Sequence, residues 1–186
     1  MTIKHQRANL IFRVLCAVLT AAVPGVKAAS AQSLGPKTVA DFFLLVPERY
    51  MESYDPRSRQ ELLRGERGDS VVDIRHGYIS WDASDNPEEF RFAIFRRSNG
   101  RYIVAFSVGY NSQYQNPGST LLLLSYEDGK WRDVTRATLP VPFDKKLAHK
   151  LPRQGRGIEV TSEAGRKLYT LTWANDRFRI KRAARR

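Results

Sequence analysis

Arg177, Arg179 and Lys181 stand at alternate positions of a short run, Arg177-Phe178-Arg179-Ile180-Lys181, whose intervening residues are apolar. In a strand with Phe178 and Ile180 in the core, the three cations share the opposite face at intervals of about 6.6 Å, twice the rise per residue. Arg182, Arg185 and Arg186 carry the charge on into residues 182–186, read as a basic tail. Evenly spaced cations suit an anionic partner: a phosphorylated envelope lipid, an anionic polymer such as an acidic polysaccharide, or an acidic protein. The same row also suits an edge strand that resists pairing with another chain.

A second group is uncharged. Tyr110, Asn111, Gln113, Tyr114 and Asn116 crowd into the ten residues from Tyr110 to Ser119. Tyrosine rings stack on apolar sugar faces, and carboxamides donate and accept toward hydroxyls, so this stretch is chemically suited to a glycan or a peptide. Long turns use the same residue types.

Other chemistry is thinner. The stretch from Asp82 to Glu89 alternates oxygen-bearing side chains as a calcium loop would, but Pro87 replaces the glycine of the sharp turn and Ala93 the bidentate acid. It reads as a solvated connection, and no metal site is expected. His76 falls in a turn. His149 lies among Lys145, Lys146 and Lys150, whose charge disfavours a metal ion and lowers the histidine pKa. A nucleophile elbow of the Gly-x-Ser-x-Gly type is absent from the sequence. Carboxylates are plentiful, but spacing alone cannot place two of them about 5 to 9.5 Å apart across a sugar. No catalytic residue and no cofactor are assigned.

The compartment follows from the N-terminus. Lys4, Arg7 and Arg13 precede an apolar run from Val14 to Val23, and Ala29-Ser30-Ala31 supplies small residues for cleavage. Residues 1–31 therefore read as a cleavable secretory signal peptide of bacterial type, directing the chain to the periplasm or the medium. Arg13 and Pro24 cut the run well short of the ~20 residues that span a bilayer, so no transmembrane span is expected after cleavage. Cys16 sits inside the run behind Arg13, Val14 and Leu15, which does not fit a lipoprotein site. It is also the one cysteine, so the mature chain has neither disulfides nor thiolate chemistry.

Lys4, Arg7, Arg13 and Lys27 leave with the leader, which lowers the net charge from +12 to +8. Six of the remaining cations fall in the last ten residues: Arg177, Arg179, Lys181, Arg182, Arg185 and Arg186. The basic character is therefore local to the C-terminus. Nucleic acid fits that charge but not the compartment.

The elements that must position these groups are mostly strands. Thr38 with Asp41 three residues on forms a helix start, and Val39, Phe42, Phe43 and Val46 give its apolar stripe before Pro47. Asp55-Pro56 opens a second short helix that Gly65 ends. Beyond the polar loop from Gly65 to Asp69 the chain alternates strand and turn. The clearest hairpin runs from Glu89 to Gly109. There Phe90, Phe92 and Ile94 alternate with Arg91 and Ala93, and Tyr102, Val104, Phe106 and Val108 alternate with Ile103, Ala105 and Ser107. Four leucines from Leu121 to Leu124 predict a strand buried on both faces, and Asp128-Gly129 and Asn175-Asp176 predict tight turns. Pro140, Pro142 and Pro152 exclude a central strand between Arg136 and Gly157, where Asp144 to Lys150 is expected to form a turn of helix.

These elements predict a mainly β protein with an α+β margin. It is an antiparallel β-meander of about nine strands, a sandwich or a bent sheet with one or two short N-terminal helices packed on it. Residues 32–181 make a single β-rich domain. The functional expectation is an exported, non-enzymatic binding or accessory protein of the cell envelope, periplasmic or secreted. The alternatives are a proteinaceous inhibitor of an extracellular hydrolase and a small secreted hydrolase using carboxylates.

Overall fold

Thr38 starts the first helix by exchange. Its hydroxyl accepts the Asp41 N–H at 3.2 Å, and the Asp41 carboxylate takes the Thr38 N–H at 2.8 Å, a complete capping box. The helix α1, Val39–Leu45, ends at Pro47, which opens a 3-10 turn over Glu48–Tyr50. Asp55 caps α2, Pro56–Leu63, by accepting the Arg57 and Ser58 N–H groups at 2.8 and 3.0 Å. These elements belong to a computed structural model that describes residues 35–52, 54–82, 88–110 and 119–182, all within the unit Gly35–Arg186.

Six strands follow in strict succession: β1 (Asp69–Asp73), β2 (Tyr78–Asp82), β3 (Glu88–Arg96), β4 (Tyr102–Tyr110), β5 (Ser119–Glu127) and β6 (Lys130–Asp133). Each pairs antiparallel with the next. After α3 (Thr135–Thr138) come β7 (Ala148–Lys150), β8 (Gly157–Thr161), β9 (Lys167–Ala174) and β10 (Arg177–Arg182), a second antiparallel sheet in the order β10-β9-β8-β7. The turns follow from residue type. Asp128 and Gly129 have φ of 51° and 76°, and Asn175 and Asp176 have φ of 51° and 61°, the double left-handed geometry of a two-residue hairpin.

The hairpin β3–β4 is packed on both sides because it is the middle layer of three. Phe90, Phe92, Val104 and Phe106 meet Val39, Phe42, Phe43, Val46 and Leu62 of the helical segment. Phe43 sits 5.2 Å from Phe92 and 5.6 Å from Phe90, ring centre to ring centre. On the opposite face Ala93, Phe95, Ile103 and Ala105 meet Ile158, Val160, Leu171, Trp173 and Phe178 of the second sheet. The leucine run divides likewise: Leu124 faces the helices, while Leu121 and Leu123 face the second sheet. Helices, six-stranded sheet and four-stranded sheet thus stack in that order, a sandwich with a helical cover.

Polar contacts tie the sheets at several points. At the tip of β3–β4, the Ser98 N–H and hydroxyl donate to the Asp176 carboxylate in the turn of β9–β10, at 2.7 and 2.5 Å. The Trp173 indole donates to the Arg96 carbonyl at 3.0 Å. Elsewhere Arg153 bonds Asp73 at 3.0 Å, and the Ser107 hydroxyl donates to the His149 carbonyl at 2.7 Å.

Three expectations need correction. The stretch from Asp144 to Lys150 does not form a helical turn: Leu147 closes a tight turn on Asp144, and Ala148–Lys150 becomes β7, a tenth strand, because it pairs with β8 and the hydroxyls of Ser107 and Ser119 hold it on the first sheet. The helical turn lies earlier, at α3. Ile180 is not core. Phe178 is buried against Phe95 and Trp173, whereas Ile180 lies outside that cluster and is 40 % exposed. Arg182 is not the first residue of a tail but the last of β10.

Candidate anion-binding surface

β10 is the end strand of its sheet, and its register with β9 decides where each side chain goes. Arg177 lies opposite Ala174, Arg179 opposite Thr172 and Lys181 opposite Thr170. Side chains directly opposite one another share a face, so the three cations stand beside Ala174, Thr172 and Thr170. On β8 the same face continues with Gly157, opposite Thr172, and Glu159, opposite Thr170. Phe178 and Leu171 are buried on the other face, so this one looks away from the core. The expected row is therefore formed, and Arg177, Arg179 and Lys181 are all exposed.

The row is also unpaired. Arg177, Arg179, Lys181 and Arg182 make no ion pair with any described residue, whereas the neighbouring Glu159 is engaged by Lys167 at 2.6 Å. A ledge of small residues, Thr170, Thr172, Ala174 and Gly157, therefore lies beside a line of cations that have no ion-pair partner among the described residues. Arg182 is the exception. It is opposite Tyr169 and shares the alternation of Phe178 and Ile180, so it stands on the far side of the strand from the other three.

The second expected group is not brought to this surface. Tyr110 ends β4 in register with Glu88, and Asn111, Gln113, Tyr114 and Asn116 lie outside the described residues, as do residues 83–87 of the acidic stretch. Asp82 and Glu89, the two ends of that acidic stretch, have a structural partner. The Arg91 guanidinium, buried on the second-sheet face of β3, donates to Asp82 at 2.8 Å and to Glu89 at 2.9 Å.

His76 and His149 are placed as connections. His76 Nδ1 sits 3.0 Å from Asp73 in the β1–β2 turn. The Arg153 hydrogen bond first, and His76 second, hold the Asp73 carboxyl at about 2. His149 is buried at 5 % exposure, and its pKa is lowered by that burial, not by the neighbouring lysines expected to do so. Its Nδ1 is 2.9 Å from the Ser119 hydroxyl, a pairing that invites comparison with a nucleophile and its base. Ser119, however, lies 2.7 Å from the Leu147 carbonyl as donor and accepts the His149 N–H at 3.1 Å. The hydroxyl is thus committed to fixing β7. Sequence reasoning missed Ser107 and Ser119 because a serine in a strand carries no sign that it will anchor a distant segment.

A hollow of about 830 Å³ lies among Asp133, Arg136 and the stretch from Leu139 to Phe143. Its one acid among the described lining residues, Asp133, accepts the Thr135 N–H at 2.8 Å. A pair of carboxylates for hydrolysis is not assembled there. Among the described residues no group of three or more metal-ligating side chains comes together.

No family model matches the chain. No curated protein matches it either. A solved structure, a domain of an uncharacterized protein from Porphyromonas gingivalis W83, is similar with a TM-score of 0.57 at 12 % identity, covering 77 % of this chain and 97 % of that one. At that identity the likeness is one of fold alone.

Proposed function

We propose that the protein is an exported, non-catalytic binding or accessory protein of the cell envelope, and that the outward face of β10 is where it takes an anionic partner. The observation that carries this reading is the line of Arg177, Arg179 and Lys181, exposed, without ion-pair partners among the described residues, and flanked by the small side chains of Thr170, Thr172 and Ala174. A face of short residues beside the row lets a chain of anionic groups lie along the strand. The reading of residues 1–31 as an export signal supports a partner in the envelope or outside it.

The test is retention of the purified protein on a sulfated polysaccharide and on phosphatidylglycerol vesicles across a salt series. Wild type is expected to bind at low salt and to release as salt rises, because exposed charges are screened. The triple variant Arg177→Gln, Arg179→Gln, Lys181→Gln, which alters exposed side chains alone, is expected to release at markedly lower salt. Equal release of the two proteins, or no retention of wild type, would refute the reading. Copurification with an extracellular hydrolase would favour the inhibitor reading instead.

A further inference from the structure

β10 has a second property, independent of its charge: among the described residues no strand pairs with its outer edge. The Trp173 N–H donates to the Arg156 carbonyl beside β8, at 2.7 Å. Trp173 and its partner Phe178 are therefore a pair that exchanges no hydrogen bonds, and the bonds between β9 and β10 run through Arg177, Arg179 and Lys181. The N–H and C=O groups of Phe178, Ile180 and Arg182 consequently point away from β9, along the free side of the sheet. Of the four edge strands, β7 has three residues, β6 four, β1 five and β10 six, so the longest open ladder is the cationic one. Short edges are a usual protection against added strands; β10 lacks that protection.

We infer that β10 extends its sheet by receiving an extended segment of a partner protein in which acidic and apolar residues alternate. This rests on the reading that β10 takes an anionic partner and adds what the partner is. A strand laid against the free edge places every second side chain beside Arg177, Arg179 and Lys181, where carboxylates complement the charge. The intervening side chains fall on the other face, beside Ile180, an isoleucine left 40 % exposed at the sheet's end. Main-chain bonds to Phe178, Ile180 and Arg182 supply the docking, and the alternation supplies the specificity. A second copy of this chain is the wrong occupant, because pairing β10 with β10 sets cations against cations.

The experiment uses the protein with a seven-residue peptide of alternating glutamate and valine. Two derivatives are compared with it, one N-methylated at the valines and one at the glutamates. Added antiparallel, as every strand of this sheet is, the peptide directs its valine N–H groups at β10 and its glutamate N–H groups away. Methylation of the valines is expected to weaken binding about tenfold or more, and methylation of the glutamates to leave it unchanged. The protein is varied as well. Ile180→Pro removes one outward N–H and the exposed isoleucine without touching the bonds to β9, a position where an edge strand accepts proline. It is expected to lose the peptide while retaining the sulfated polysaccharide. Equal effects of the two methylations, or peptide binding unchanged in Ile180→Pro, would overturn strand addition. Wild type that binds the polysaccharide but not the peptide overturns strand addition alone, and wild type that binds neither overturns the anionic-partner reading too.

Discussion

Arg59 is 1 % exposed and has no ion-pair partner among the described residues, yet it holds the helical cover together. Its Nε donates to the Tyr54 carbonyl at 2.7 Å, and its Nη1 donates to the carbonyls of Phe43 and Val46, closing the end of α1 onto the start of α2. These carbonyls lie at the end of α1 and just before α2, where no helix bond satisfies them, and only a forked, planar donor reaches them together. Arg59→Met keeps the apolar stem but strands the carbonyls. It is expected to cost about 2–4 kcal/mol in denaturant unfolding, with Arg59→Lys failing to restore wild-type stability. Asp73 makes a different contact, a surface tie to Arg153 whose folded pKa of about 2 lies below the ordinary 3.8. The sign follows directly. Above the unfolded pKa the carboxylate is ionised in both states and its contribution is complete; it is lost as pH falls through about 2. Asp73→Asn is therefore expected to be less stable than wild type at neutral pH, with the gap closing between about pH 4 and pH 2 in chemical denaturation.

What was legible among the elements had a local cause. The capping box at Thr38 and Asp41, the proline opening α2 and the left-handed turns at Asp128-Gly129 and Asn175-Asp176 are each fixed by residues within four positions of one another. β7 has no such cause. Three residues cannot show a period of two, and Ala148–Lys150 is a strand because β8 pairs with it and two serines from distant strands bond its backbone. The β1–β2 turn shows a constraint of both kinds. Gly77 has φ of 67°, which its own turn requires, and a Cβ placed there would lie 2.6 Å from the Ile94 Cγ1 of β3. Gly100, with φ of 81°, has nothing within 4 Å of the same position. Gly77→Ala is expected to destabilise by about 1–3 kcal/mol and by more than Gly100→Ala, which meets only the backbone penalty. Thermal unfolding of the two variants reads the difference.

In the molecule as a whole, the sequence of β3–β4 required burial on both faces but did not say by what. One side is covered by helices and the other by a sheet, and the apolar residues that face them, Phe92 and Phe95 for instance, are of the same kind. Nor could alternation alone show that β10 runs past its cover, which is why Phe178 is core and Ile180 is not. The charged row itself was legible, since a period of two and a single strand determine it; that its cations have no ion-pair partner among the described residues depends on packing, which alternation does not show. Among the described residues the molecule has a packed interior and a cationic end strand, and the proposed binding surface lies on that strand. Backbone amide NMR during titration with a sulfated polysaccharide tests this most directly. Shifts should concentrate at Arg177, Arg179 and Lys181 and at their neighbours Thr170 and Thr172, and should be reversed by salt. Shifts concentrated instead around the hollow from Arg136 to Phe143, with β10 silent, would contradict the assignment of β10 as the binding surface.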